Sequence, residues 1–181
     1  MRVVVFGGSK PKPEEEAYRQ AYQLGRLLGS AGYTVLTGGY IGTMEAVSRG
    51  ANEAGGHVIG VTCEEIEAYR PGKANPWVQE EFHYPTLVER LENLMRTSDA
   101  ALALPGGTGT LTEISLVWNH LLVGAIPPRP LILIGPGWEQ TFQCFFQSLS
   151  DYLPSKTRDW LSFEPDVQSA FRRLQNSNGR R

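Results

Sequence analysis

The stretch AALALPGGTGTLTEISLVWNHLLV, residues 100–123, decides the fold that this sequence predicts. Residues 100–104 form a short apolar run, which is typical of a buried strand. The PGG sequence at 105–107 ends that run, and a helix-like pattern follows over about 109–123. A strand, a glycine turn and a helix in direct succession predict one unit of a parallel α/β fold.

Two further units of this kind come earlier in the chain. Residues 2–6 predict a strand that stops at GGS, residues 7–9, before a helix over 14–30. Residues 33–37 predict a second strand, and the sequence GGYIGT then leads into a helix over about 43–54. In each unit, glycines follow the carboxyl end of the strand.

The rest of the chain continues the alternation of strands and helices. We predict strands at 57–62 and 131–134, and helices at about 86–96, 138–149 and 166–175. The segment 64–85 contains two prolines and a glycine before its final proline, and it predicts a long irregular loop.

The predicted strands are continuous apolar runs, so we expect helices on both faces of a parallel sheet. Right-handed crossovers then give an α/β fold, a three-layer Rossmann-like doubly wound parallel sheet. The chain suits a single domain over residues 1–181, with a flexible C-terminal tail from about residue 176.

Composition argues against several classes of function. The formal net charge is -2, so no basic field favours nucleic acid. Cys63 and Cys144 lie far apart without metal-ligand spacing, which favours a reducing compartment. The apolar run after Met1 is too short for a signal peptide or a membrane span. We therefore expect a cytoplasmic protein that binds neither nucleic acid nor a membrane.

The three glycine turns predict a binding site for a phosphorylated ligand. In a doubly wound sheet they share the edge at the carboxyl ends of the strands, where ligands bind. A helix N-terminus there offers unpaired amides, and glycines let a phosphate approach them. The alternative is that the glycines only make tight turns. The residues that fit the phosphate role are Gly38, Gly39, Gly42 and Thr43, then Gly106, Gly107, Gly109 and Thr110, with Gly8 and Ser9 either binding ligand or forming a turn.

The common nucleotide-binding motifs are absent from the sequence. GGSKPK after the first strand is not G-x-G-x-x-G, and no acidic residue ends the second strand at Thr37-Gly38 to hold a ribose. The P-loop pattern G-x-x-x-x-G-K-[ST] is also missing. A dinucleotide enzyme and a P-loop NTPase are therefore disfavoured.

Glu113 has two interpretations. Thr110 and Glu113 have the spacing of a helix-capping box, as do Thr86 and Glu89. Glu113 also lies one turn inside the helix whose start is assigned to phosphate, so its carboxylate would face the attached sugar. In that position it would stabilise a cationic sugar or activate water.

The sequence PGGTGTLTE, from Pro105 to Glu113, matches the P-G-G-x-G-T-x-x-E motif of the LONELY GUY (LOG) family. GGYIGTM, from Gly38 to Met44, resembles the family's G-G-G-x-x-G-x-M motif. The pair Glu89-Arg90, with Arg90 fifteen positions before Pro105, corresponds to a third feature. LOG proteins are cytokinin riboside 5′-monophosphate phosphoribohydrolases, many of them once labelled lysine decarboxylases.

The resemblance implies a Rossmann-like homodimer with its site near the subunit interface. It implies that Arg90 and Glu113 are the catalytic pair and that Gly106 to Thr110, including Thr108, hold the 5′-phosphate. Met44 joins the nucleotide-binding residues through the second motif. The chain departs from the family at four positions, where Val88, Leu91, Thr112 and Tyr40 replace a His, a Lys, an acid and a Gly.

The expected reaction is hydrolysis of the N-glycosidic bond of a nucleoside 5′-monophosphate, such as a cytokinin riboside monophosphate or AMP, without metal or cofactor. A lysine decarboxylase is disfavoured, because none of the four lysines stands in a setting for a pyridoxal Schiff base. Two alternatives stay open: a non-catalytic carrier of the molybdenum cofactor type, and a nucleotide-sensing module in which Glu113 only caps its helix.

Overall fold

The computed structural model describes residues 1–178, and the chain there alternates between strand and helix almost throughout. The strands are β1 Arg2–Phe6, β2 Thr34–Thr37, β3 Val58–Cys63, β4 Glu80–Tyr84, β5 Ala100–Ala103, β6 Leu131–Ile134 and β7 Ser162–Glu164. The helices are α1 Glu16–Ser30, α2 Thr43–Glu53, α3 Glu64–Tyr69, α4 Leu87–Arg96, α5 Thr108–Leu122, α6 Pro136–Ser148 and α7 Val167–Asn178.

The seven strands pair in parallel in the order β4-β3-β2-β1-β5-β6-β7. The strand order reverses direction between β1 and β5, so the crevice at this switch point lies outside the carboxyl ends of these two strands. The predicted fold class, a doubly wound parallel α/β sheet in one domain, is confirmed.

Both faces of the sheet carry a packed core. Along β1, Val3 and Val5 belong to the core formed with α1, α2 and α7, whereas Val4 and Phe6 belong to the core formed with α4, α5 and α6. This alternation explains why the strand reads as an unbroken apolar run, because burying both faces requires apolar residues at every position.

The prediction of an irregular loop over 64–85 is wrong for about half of that segment. It contains α3 and the edge strand β4, which pairs with β3 from Ile59↔Glu80 to Cys63↔Tyr84. The sequence of β4, EEFHY, is mostly polar, because an edge strand is not buried on both faces. β7 was missed as well, since three residues give too short a pattern to detect.

Helix α7 runs to Asn178, so residues 176–178 are helical. The rest of the predicted flexible tail, residues 179–181, lies outside the described residues. None of the helices in residues 1–178 is both long and apolar enough to cross a membrane.

Candidate active site

A cavity of about 820 Å³ lies at the carboxyl edge of the sheet. It is bounded by the turns that follow β1 and β5, by the first turns of α2 and α5, and by residues of α3 and α4. The predicted site residues that line it are Gly8, Ser9, Met44, Arg90, Gly106, Gly107, Thr108, Gly109, Thr110 and Glu113.

The N-terminus of α5 opens into this cavity. Its N-cap is Gly107, and within residues 1–178 no side chain caps the helix, although the first amides of a helix have no acceptor inside it. No heavy atom of the described residues outside the local backbone lies within 4 Å of the Cβ positions at Gly107 and Gly109. A ligand can therefore approach these amides closely, and the helix dipole favours an anion there.

The capping interpretation of Glu113 is wrong. Helix α5 begins at Thr108, which places Thr110 inside the first turn rather than at the N-cap. The same spacing at Thr86 and Glu89 does form a capping box, with the Glu89 amide donating to Thr86 Oγ1 and the Thr86 amide donating to Glu89 Oε2, each at 3.2 Å. The sequence pattern is thus correct at one helix start and misleading at the other.

Arg90 and Glu113 form a buried ion pair against the cavity. Arg90 Nη1 lies 3.5 Å from Glu113 Oε1, and the two side chains are 5% and 11% exposed. A backbone group also holds the guanidinium, because Arg90 Nε donates to the Val61 carbonyl at 2.7 Å. Arg90 on α4 therefore points inward to the site rather than into solvent.

The environment raises the pKa of Glu113 to about 7. Burial is the main cause, because it disfavours the charged carboxylate, while the charge and hydrogen bond of Arg90 act in the opposite direction. A carboxyl with a pKa near neutrality exchanges a proton readily at the pH of the cell, which is the property required of a general acid or base.

The glycines of the middle turn pack against protein instead of lining the cavity. A Cβ at Gly42 would lie 2.5 Å from the Gly8 carbonyl oxygen, and a Cβ at Gly39 would lie 2.8 Å from Thr62 Cγ2. Gly38 leaves room for the guanidinium of Arg90 and for the sulfur of Met44. These three glycines therefore allow close packing beside the cavity but do not line it.

Thr43 joins the turn after β2 to the turn after β1. Its amide donates to the Gly8 carbonyl at 2.9 Å, and its Oγ1 donates to the same oxygen at 3.0 Å. The Gly8 amide in turn donates to the Pro105 carbonyl at 3.2 Å. The three glycine turns thus form one connected rim, but the first amide of α2 is already used within the protein.

Sequence reasoning did not assign several residues of the cavity wall, among them Tyr40, Ile66, Tyr69 and Arg70. Arg70 Nη1 donates to Ser9 Oγ at 2.7 Å, so it connects the segment after α3 to the first glycine turn. Ile66, Tyr69 and Arg70 lie in the segment predicted to be irregular, and their sequence carries no periodic signal that could have placed them. In the sequence, Tyr40 stands out only as a departure from the G-G-G-x-x-G-x-M motif.

A family model supports the relationship that the motifs suggest. The model of the SLOG cluster4 family matches residues 1–127. The chain belongs to this family. The match covers the strands, turns and helices that build the cavity, up to and including α5.

Two curated relatives act on nucleotides according to their names. The chain is 35% identical over 125 residues to a probable cytokinin riboside 5′-monophosphate phosphoribohydrolase of Oryza sativa subsp. japonica, covering 67% of this chain and 50% of the relative. It is 34% identical over 145 residues to a pyrimidine/purine nucleotide 5′-monophosphate nucleosidase of Escherichia coli strain K12, covering 74% of this chain and 31% of that protein. The chain thus spans half or less of the length of these two relatives.

Among solved structures, the chain resembles the Moco carrier protein of Chlamydomonas reinhardtii. The two are 25% identical with a TM-score of 0.74, over 99% of this chain and 98% of the carrier. The fold is therefore shared with that protein over nearly the whole chain.

Proposed function

We propose that this SLOG cluster4 protein hydrolyses the N-glycosidic bond of a nucleoside 5′-monophosphate, releasing the free base and ribose 5-phosphate. One observation carries the proposal: the buried pair of Arg90 and Glu113 lines the same cavity as the uncapped N-terminus of α5. An anion site and an acid with a raised pKa, one helical turn apart, fit a phosphorylated sugar. The names of the curated relatives support the same reaction.

In this mechanism the phosphate binds at the first turn of α5. The amides after Gly107 donate to its oxygens, and the hydroxyls of Thr108 and Thr110 are available in the same turn. The phosphate is remote from the bond that breaks, so its binding energy serves to hold the sugar in place. The anomeric carbon is thereby positioned beside Glu113.

Bond cleavage develops positive charge on the sugar, as in other glycoside hydrolyses. The bond from the anomeric carbon to the base nitrogen breaks, its electron pair leaves with the base, and that nitrogen takes up a proton from solvent to give the free base. The ionised Glu113 stabilises the cation and takes a proton from the attacking water, whose oxygen forms the new bond to the anomeric carbon. Arg90 holds the carboxylate in place and favours its ionised form.

A panel of nucleoside 5′-monophosphates, with AMP and a cytokinin riboside monophosphate among them, tests the proposal. We expect equal amounts of free base and ribose 5-phosphate from at least one member. Glu113→Gln should lower kcat by about 10²- to 10⁴-fold, the usual contribution of a general acid or base. Glu89→Gln is the matched control, because this exposed capping residue lies on α4 outside the cavity and should leave kcat unchanged. Full activity of the Glu113 variant would remove that residue from the mechanism.

A carrier of the molybdenum cofactor is the second candidate. The observation that favours it is the similarity to the Moco carrier protein over nearly the full length of both chains. A carrier has no need of a buried acid beside its phosphate site, which is why we place hydrolysis first. Tight binding of the cofactor together with no product from any nucleotide would reverse this order.

We also propose that the protein is a cytoplasmic homodimer, as the resemblance to the LOG family implies. Light scattering on the purified protein measures the oligomeric state. A monomer at micromolar concentration would contradict this part of the proposal.

A further inference from the structure

Tyr40 occupies the position where the related motif has its third glycine. The side chain is only 4% exposed, and it lines the cavity beside Arg90 and Met44. It follows Gly39, whose φ of 77° turns the chain after β2 and carries position 40 toward the end of β3. A large ring therefore stands inside the site where the family usually has no side chain.

The hydroxyl of Tyr40 is fixed on two sides. It accepts a hydrogen bond from the Cys63 amide at 2.9 Å, and it donates toward the Cys63 carbonyl or Glu67 Oε1, each at 3.2 Å. These partners lie at the end of β3 and on α3. Burial raises the pKa of Tyr40 to about 12, so the hydroxyl keeps its proton throughout the physiological range. These hydrogen bonds add to the packing around the ring, which is itself buried and so held in one orientation.

The fixed ring lies against the guanidinium of Arg90. The Cζ atom of Arg90 is 5.9 Å from the centre of the Tyr40 ring, within the range of a cation–π contact. The Val61 carbonyl holds Nε of the same side chain, and Glu113 Oε1 lies 3.5 Å from Nη1. The ring, the carbonyl and the carboxylate together leave the guanidinium little freedom.

We propose that Tyr40 is a positioning residue that holds Arg90 in contact with Glu113. The inference rests on the proposed function and adds a residue that acts through Arg90 rather than on the substrate. A glycine at position 40, as in the usual motif, would leave the guanidinium without the ring. The prediction is that the ring of Tyr40, and not its hydroxyl, maintains the pair.

Two substitutions separate the ring from the hydroxyl. Tyr40→Phe keeps the ring but leaves the Cys63 amide without its acceptor, so the melting temperature should fall while kcat stays within about twofold of the wild type. Tyr40→Leu removes the ring as well. It should lower kcat by about three- to thirtyfold, which spans cation–π contacts from exposed to desolvated ones, and leave the affinity for ribose 5-phosphate unchanged.

The pKa of Glu113, measured by ¹³C NMR of its carboxyl carbon, gives a readout that does not depend on turnover. Arg90 lowers this pKa, so Tyr40→Leu should raise it above the wild-type value, while Tyr40→Phe should not. Lys10 and Arg70 also line the cavity, and Glu67 contacts the Tyr40 hydroxyl. Both variants lose the Glu67 contact and keep the two cations. The difference between their Glu113 pKa values therefore reports on the contact between the ring and Arg90.

Tyr18→Leu is the control for loss of a buried ring elsewhere. Tyr18 on α1 is also 4% exposed, and it belongs to the core on the opposite face of the sheet from Arg90. This variant should lose stability without moving the pKa of Glu113. An unchanged Glu113 pKa in Tyr40→Leu would overturn the inference. A raised Glu113 pKa in Tyr40→Phe would also overturn it, and this measurement remains available if the leucine variant does not fold. Absence of nucleotide hydrolysis by the wild type would instead overturn the proposed function and leave the pKa comparison intact.

Discussion

The turns at 38–43 and 106–110 have similar sequences, but the glycines of the first pack against protein whereas the second is open to the cavity. Both have two glycines after a strand, followed by Gly-Thr at the start of a helix. In the first turn, Thr43 hydrogen bonds to Gly8, and a Cβ on Gly42 would collide with the chain at Gly8 and Ser9. In the second, the Cβ positions at Gly107 and Gly109 face open space within the described structure.

The difference shows that a glycine turn before a helix has two separate physical meanings. One is close contact between two backbones, and the other is access for a ligand to backbone amides. The local sequence does not distinguish them, because the outcome depends on whether a distant segment already occupies the space. Here the turn after β1 covers the start of α2 and leaves the start of α5 open.

The largest expected effect is on stability, at the closed turn. Gly42→Ala introduces a side chain where φ is 77° and where the Cβ would lie 2.5 Å from the Gly8 oxygen. The strained backbone and the collision together should lower the free energy of unfolding by about 3 kcal/mol or more. Urea denaturation measures this loss. A free energy of unfolding within about 1 kcal/mol of the wild-type value would show that the closed turn is not packed as described.

A second effect concerns Glu113, which lies beyond the open turn. Its pKa is about 7 in the folded protein against 4.5 as its ordinary value, so the folded state binds this proton more tightly than the unfolded state does. Stability from this group is therefore present below about pH 4.5 and is lost as pH rises toward 7 and above, by up to about 3 kcal/mol.

The measurement is urea denaturation of the wild type and of Glu113→Gln at a series of pH values. The wild type should lose stability relative to the variant between pH 4.5 and pH 8. Parallel stability curves for the two proteins would indicate that Glu113 has an ordinary pKa.

The same substitution at the open turn should affect binding rather than stability. Gly109→Ala adds a methyl group that faces the cavity, and alanine is favoured over glycine inside a helix by about 1 kcal/mol. We expect unchanged or slightly higher stability and about tenfold weaker binding of ribose 5-phosphate, which corresponds to about 1.4 kcal/mol. Calorimetric titration measures the affinity. Equal affinity in variant and wild type would place the phosphate elsewhere.

The smallest expected effect is a difference in stability between variants of Thr43 and Thr108, each of which follows a glycine. Thr43→Val removes the Oγ1 hydrogen bond to the Gly8 carbonyl while the amide bond remains, so the unfolding free energy should fall by about 1 kcal/mol. Thr108 is exposed at the cavity, and Thr108→Val should change stability by less than about 0.5 kcal/mol. Thermal unfolding of the pair checks the difference, and equal losses would remove the contrast between the turns.

The sequence predicted the central strands and the helices beside them, because continuous apolar runs and helical spacing record burial directly. It also placed Arg90 and Glu113 together, although through the resemblance rather than through periodicity. The strand β4 was missed because its residues are polar at a sheet edge. Tyr69 and Arg70 were missed because a cavity wall in an aperiodic segment is defined by distant partners such as Ser9.

The most direct test of the account is a crystal structure of Glu113→Gln with AMP, because loss of the carboxylate should leave the nucleotide uncleaved. We predict that the phosphate oxygens accept hydrogen bonds from the amides of the first turn of α5, with the anomeric carbon facing position 113 and Arg90. A phosphate bound at Gly42 and Thr43, or a nucleotide bound outside the cavity, would contradict the account.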